Sequence, residues 1–382
     1  VEYTVTIIVL IFTLNVTNSV FRIPGYRWLP LGISTFAVSV FFQRQLRAKK
    51  SVIAMLKPFG DLIEQFFLPF IIPTLIATVT AAVVYQNSRY TLSSYKYVLW
   101  TYGAYLLAFL TVKRYQKKAL YLELAAGVIS YLSVIIRALV TRDPGLLEVH
   151  ELTYIFGMLL LFFCFYQGIS RRERIITCSV CLLGVLLGSK RALWLALLVA
   201  LGVYLVCRKL LKWEKKGQLF VGLVAIAVTF AWFAVIKYGI FDLFCDRMGV
   251  SDNSRRVMWD YFNIYYDLSP AYPGRGLTCT LVEMNRVHNL LRINTAISIH
   301  NEMLSMYIGW GFLPFLYFMV MYIIRRVRYL NGGKYENNSW IFLVISLVFL
   351  IINYFGSTMF NMGTSMVYLT IWTVFRDEKV QE

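Results

Sequence analysis

Apolar runs recur along the whole chain, broken by short basic stretches and by one long polar interruption. Twelve such runs stand out, at about 3–21, 28–42, 62–85, 95–112, 119–140, 151–168, 175–188, 192–207, 217–236, 300–324, 339–358 and 363–375. A helix needs ~20 apolar residues to cross a bilayer, so those at 28–42, 175–188 and 363–375 are short for a full span. The pattern predicts an all-α, polytopic integral membrane protein of about 12 transmembrane helices with one large extracytoplasmic loop, residues 237–299. Residues 1–174 read as N-terminal transmembrane helices. Residues 175–382 read as a second half whose helices flank that loop. No internal repeat is visible.

Composition supports this class: 59% of the 382 residues are hydrophobic and 15% are charged. Soluble domains carry about 25% charged residues. A soluble enzyme, a disordered chain and a secreted disulfide scaffold are therefore excluded. The first apolar run lacks a basic start and a small-residue cleavage site, so it reads as a mature span rather than a cleavable signal.

The net charge of +18 would suggest nucleic acid in a soluble protein. Here, 23 of the 38 Lys and Arg fall in the stretches 43–61, 113–118, 169–174, 208–216, 325–338 and 376–382. The positive-inside rule places such loops in the cytoplasm. Alternation around twelve spans then puts both termini there, and no nucleic-acid partner is implied. Arg44, Arg47, Lys49 and Lys50 precede the apolar stretch 51–57, which reads as a short interfacial helix.

Seven bases on the outer loop escape that rule: Lys237, Arg247, Arg255, Arg256, Arg275, Arg286 and Arg292. Lys190 and Arg191 sit in another outer turn. Arginine suits bidentate recognition of phosphate, so this crowding at a membrane face points to a lipid-linked pyrophosphate. Residues 255–268 read as a helix, with Met258, Tyr261, Phe262, Tyr265 and Leu268 at helical spacing and Asn253 or Ser254 as its cap. Arg255 and Arg256 at its start oppose the helix dipole unless an anion binds there. Trp259 and Tyr265 offer rings for membrane contact or for stacking on sugars. Pro270 ends the helix, and Gly274 and Gly276 flank Arg275 in a tight turn.

Of three histidines, His300 stands at the outer edge of the tenth run, followed by Asn301 and Glu302. Imidazole is well placed for general-base work near neutral pH. His150 and His288 read as structural or solvated. Cys178 and Cys181 form a CxxC without a second pair and read as packing residues. Cys245 and Cys279 share the outer loop, where either a disulfide or two thiols fits.

Three stretches together resemble the O-antigen ligase and polymerase family, which includes the Wzy-type repeat-unit polymerases. The first runs from Gly188 through Ser189, Lys190, Arg191, Ala192 and Leu193 to Trp194. It is similar to the family's Ser-Arg before an apolar span, with Lys190 inserted, so either base can take the family's role. The second runs from Arg255-Arg256 through Trp259 to Pro273-Gly274-Arg275-Gly276. The third runs from His300-Asn301-Glu302-Met303-Leu304 to Gly309-Trp310-Gly311. The resemblance covers roughly residues 175–325.

It implies a fold like the C-type membrane glycosyltransferases, in a bacterial cytoplasmic membrane with the active site outside. It implies a metal-independent, inverting transfer without a cofactor. Nor is there an acidic cluster of DxD type on the outer side. Undecaprenyl-pyrophosphate-linked oligosaccharide would be the substrate, the lipid bilayer the setting, and a chain-length regulator a further partner. His300 is the candidate base, with Glu302 beside it and Arg191 as a further catalytic residue. Lys190, Arg255, Arg256 and Arg275 would bind pyrophosphate, and Trp259 and Tyr265 the glycan. Joining repeat units is the leading expectation. Transfer to a different acceptor, as in the ligases, and transport of a lipid-linked oligosaccharide are the alternatives.

Overall fold

The computed structural model describes residues 2–14, 68–86, 94–147, 150–249, 255–289, 299–331, 337–356 and 358–380, with isolated positions such as Tyr90 between them. Most of the run 28–42 and of the stretch 51–57, and all of Asn253, Ser254 and Arg292, lie outside the described residues. Every regular element among the described residues is helical.

The chain begins with α1 (Glu2–Thr13), α2 (Leu68–Val83) and α3 (Ser94–Tyr115). Then come α4 (Lys118–Thr141), α5 (His150–Phe165), α6 (Arg171–Gly188) and α7 (Arg191–Val203), which a π-helical turn extends to Leu210. α8 is Lys215–Lys237. Five helical stretches are long and apolar enough to cross a membrane: Lys118–Thr141, Pro144–Phe165, Arg191–Leu210, Lys215–Lys237 and Asn338–Phe355. They mark a helical membrane protein.

Local chemistry sets the boundaries. Ser170 and Glu173 form a capping box, the Ser170 hydroxyl accepting from the Glu173 amide and the Glu173 carboxylate from the Ser170 amide. That starts α6 four residues ahead of its apolar run.

The polar interruption folds as α9 (Ile240–Met248), α10 (Arg255–Phe262) and α11 (Cys279–Val287). The expected helix over 255–268 is shorter than its apolar spacing suggests. It tightens to a 3-10 turn at Asn263–Tyr265 and ends extended at Tyr266. Side chains claim the carbonyls that would have continued it. Lys237 donates to those of Asn263 and Tyr266, and Arg275 and Tyr272 donate to that of Tyr265.

The run expected at 300–324 is also divided. α12 (Glu302–Trp310) stops at Gly311, α13 (Phe312–Met319) follows, and a π turn leads into α14 (Arg326–Leu330). His300 therefore stands in the connection ahead of α12. α15 (Asn338–Phe355) and α16 (Met362–Val380) close the chain.

α15 is the central helix. It is apolar all round and buried almost throughout, as a helix enclosed by others should be. α5, α7, α8, α12 and α16 pack around it. α6, α7 and α8 each keep an exposed apolar stripe, such as Leu183 and Leu187, Leu195 and Leu198, and Phe220 and Leu223. Such stripes suit a lipid surround.

The two ends of the bundle differ in charge. At one end Lys113 pairs with Asp377 at 3.6 Å, Lys117 donates to the Gly168 carbonyl at 2.6 Å, and Lys379 to that of Asn331 at 3.1 Å. Asn337 donates to the Tyr204 hydroxyl there at 2.7 Å. The basic stretches 113–118, 325–338 and 376–382 thus meet at this end, beside Gly168 and Tyr204, which shortly precede two more. Arg326, counted with them from sequence, is the exception. It is 1% exposed, and its guanidinium stacks 3.9 Å from the Tyr322 ring centroid. The opposite end carries α9 to α11, the Gly188–Arg191 turn and His300.

Candidate functional site

Two of the motif stretches are joined backbone to backbone. The amide of Arg275 donates to the Ile308 carbonyl at 2.9 Å, and that of Gly276 to the Gly309 carbonyl at 2.8 Å. The amide of Phe312 returns to the Tyr272 carbonyl at 3.0 Å. Pro273–Gly276 thus lies against the Gly309–Gly311 end of α12. Only glycine permits this contact. Gly274 and Gly311 have φ of 80° and 84°, a region that side chains disfavour.

At the other end of α12 the chain is held by its neighbours. The Trp259 indole donates to the Ile299 carbonyl at 2.8 Å. The Asn301 side chain caps α12 by accepting from the Leu304 amide at 3.0 Å. Between them His300 is half-buried at φ 50°, an uncommon backbone for a non-glycine residue. Its ring makes no hydrogen bond with the described residues. Burial, and secondarily the Arg255 charge, hold its pKa below the ordinary imidazole value. The ring is therefore neutral near pH 7, the form that can take a proton. Arg255 itself donates to the Phe355 carbonyl at 3.3 Å.

Glu302 is turned inward. Its carboxylate accepts from the Met359 amide at 2.6 Å, and its own amide donates to the Gly356 carbonyl at 3.1 Å. Asn353 shares the same turn, accepting from the amides of Thr358 and Met359. Glu302 thus ties the start of α12 to the α15–α16 turn, a positioning task.

Arg275 occupies a prepared seat. Its guanidinium lies 4.7 Å from the Tyr85 ring centroid and 5.1 Å from that of Tyr265. Its Nε donates to the Tyr265 carbonyl at 2.6 Å. The two terminal amino groups make no hydrogen bond with the described residues. An arginine with stacked faces and open amino groups is ready for an anion.

Glu283, which the sequence reading passed over, organises that seat. It accepts from Tyr90 at 2.6 Å, Tyr265 at 3.1 Å and Tyr261 at 3.4 Å, and pairs with Arg286 at 2.6 Å. No spacing rule links Tyr90, Tyr265 and Glu283, so only their meeting in the fold reveals the group.

Lys190 is buried at the start of α7, and Arg191 is exposed on its first turn. The residue before this turn, Gly188, packs on α5, and α5 also reaches the α15–α16 turn that Glu302 binds. A Cβ on Gly188 would meet Thr153, and one on Gly356 would lie 3.7 Å from the Tyr154 hydroxyl. Arg256 is committed to Asp242 at 3.1 Å and Asp246 at 2.6 Å. These acids also answer the α10 dipole that two arginines would oppose. Trp259 is 2% exposed, its ring packed 4.9 Å from that of Phe241, so it anchors the core and has no open face for a sugar. Tyr265 is half-buried and faces Arg275. Cys245 and Cys279 are buried and not joined in a disulfide, and burial pushes the Cys279 thiol up to about 12.

No family model matches the chain, and no curated protein or solved structure does either.

Proposed function

We propose that this protein is a membrane glycosyltransferase that joins lipid-pyrophosphate-linked oligosaccharide repeat units at the outer face of a bacterial membrane. The observation that carries the reading is the docking of the Arg275 turn on α12, the helix that His300 precedes. A candidate anion receiver and a candidate base thereby belong to one rigid unit. Twelve spans, with the lysine-rich end and both termini in the cytoplasm, complete the proposed topology.

In the proposed reaction, a sugar hydroxyl of one repeat unit attacks the anomeric carbon of another, opposite its pyrophosphate. The new C–O bond forms as the bond to pyrophosphate breaks, and configuration inverts. His300 takes the hydroxyl proton. The departing pyrophosphate gains negative charge, which Arg275 stabilises through its open amino groups, assisted by Arg255 and by Arg191 from the neighbouring turn. Such electrostatic stabilisation is usually the largest catalytic contribution. Arg256 and Glu302 act through position, by fixing α10 on α9 and α12 on the α15–α16 turn.

The test is direct. Purified protein in vesicles, given lipid-linked repeat units, should convert them to a ladder of longer glycans. Units consumed only when a different acceptor is supplied would favour the ligase reading.

One observation favours a transporter instead. Glu123 is fully buried on α4, with one carboxylate oxygen bonded by Thr370 at 2.5 Å and the other unpartnered among the described residues. Ionisable groups inside spans mark ion and substrate paths. Unit movement across the vesicle membrane without any ladder would select that reading.

A further inference from the structure

The outer region has a second apolar face that the proposed chemistry does not use. On α9, Ile240, Leu243, Phe244 and Met248 recur at helical spacing and are all at least half exposed, Met248 at 62%. The opposite side of the same helix faces the protein through Phe241, Asp242 and Cys245, with Asp246 at its rim. Phe241 packs 5.7 Å from the Trp232 ring and 4.9 Å from that of Trp259, and Cys245 is buried. Asp242 and Asp246 bind Arg256.

Connectivity says where the exposed side lies. α8, one of the membrane-crossing helices, ends at Lys237, and α9 begins at Ile240. Only Tyr238 and Gly239 intervene, and two extended residues reach ~7 Å at most. Gly239, at φ 69°, makes the turn. α9 therefore starts at the depth where α8 leaves the bilayer. α8 itself keeps exposed apolar residues, Phe220, Leu223 and Val228 among them, as a helix in lipid does. Tyr238, 70% exposed, sits at the level where amphipathic rings collect. Arg247, on the exposed side, is long enough to reach headgroup phosphates from there.

We infer that α9 is an in-plane membrane anchor, with Leu243 and Phe244 seated among the lipid chains of the leaflet at the site end. Amphipathic helices with one wide apolar face bind interfaces in this way. The anchor has a mechanical consequence. Arg256 locks α10 to α9, and α10 carries Arg255 beside His300. The lipid surface thus sets the height of the candidate site above the membrane.

The test places the photo-reactive residue p-benzoylphenylalanine at Phe244, at Leu243 and, as a control on the engaged side, at Asp242. The full chain is reconstituted in vesicles of phosphatidylethanolamine and phosphatidylglycerol and irradiated. Mass spectrometry should find lipid adducts at 244 and 243 and several-fold fewer at 242. Adducts to a second copy of the chain at 244 would overturn the proposal and make this face a protein interface. Equal or no lipid adducts at the three positions would overturn it too. Positions 243 and 244 are on the surface, and a monodisperse elution profile verifies folding. The readout needs no activity, so it stands or falls apart from the proposed reaction.

Discussion

Gly274 and Gly311 face each other so closely that neither can carry a side chain. A Cβ on Gly274 would lie 2.4 Å from the Gly311 amide nitrogen, and one on Gly311 2.5 Å from that of Gly274. Both have positive φ. This contact joins the arginine turn to the helix that follows His300.

Alanine at either glycine should therefore part the two. Backbone strain alone costs ~1–3 kcal/mol, and the overlap falls on backbone that cannot swing aside. Gly311→Ala should lower the melting temperature in detergent and abolish polymer formation. Gly202→Ala is the control, because a Cβ there meets nothing within 4 Å.

Arg275 should not tolerate lysine. Its guanidinium lies over the Tyr85 and Tyr265 rings, and its amino groups form a fork that an ammonium lacks. Arg275→Ala and Arg275→Lys should each lose ~10²–10³ in rate. Expression and elution should stay normal, as gel filtration would show. Tyr265→Phe keeps the ring and should cost far less than Tyr265→Ala.

Glu302 and His300 should separate under conservative replacement. The Met359 amide needs an acceptor and no charge. Glu302→Gln should therefore keep most activity. Glu302→Ala removes the shorter of the two bonds made by the Met359 amide, leaving only that to Asn353, and should destabilise by about 1 kcal/mol. For His300→Gln the rate should collapse while the melting temperature holds. A dead but stable Glu302→Gln would make Glu302 the base.

The pH profile should report His300. Burial and the Arg255 charge both oppose its protonation, so its folded pKa lies below the ordinary 6.5. Activity should be full at neutral pH and fall as pH drops through that lowered value. Arg255→Gln removes a repelling charge, so the acid limb should move upward, toward 6.5. A limb unmoved in this variant would separate Arg255 from the base.

The long apolar helices were legible in the sequence because a buried or lipid-facing helix announces itself by length and composition. α4, α7, α8 and α15 fall close to the expected runs. What the sequence withheld depends on residues distant along the chain. Arg326 looked like one more cytoplasmic base, yet Tyr322 and Tyr368 enclose it in the bundle. Arg256 looked like a phosphate ligand until Asp242 and Asp246 came alongside. Trp259 had the composition of a sugar platform, but its neighbours are Phe241 and Trp232. The Glu283 group draws in Tyr90, 193 residues away along the chain.

The most direct measurement is surface glycan length on a gel, in cells with the gene deleted and then restored as wild type or as His300→Ala. The proposal predicts single repeat units in the deletant, a full ladder with the wild type, and single units again with His300→Ala despite normal protein in the membrane. A ladder of normal length with His300→Ala would contradict it.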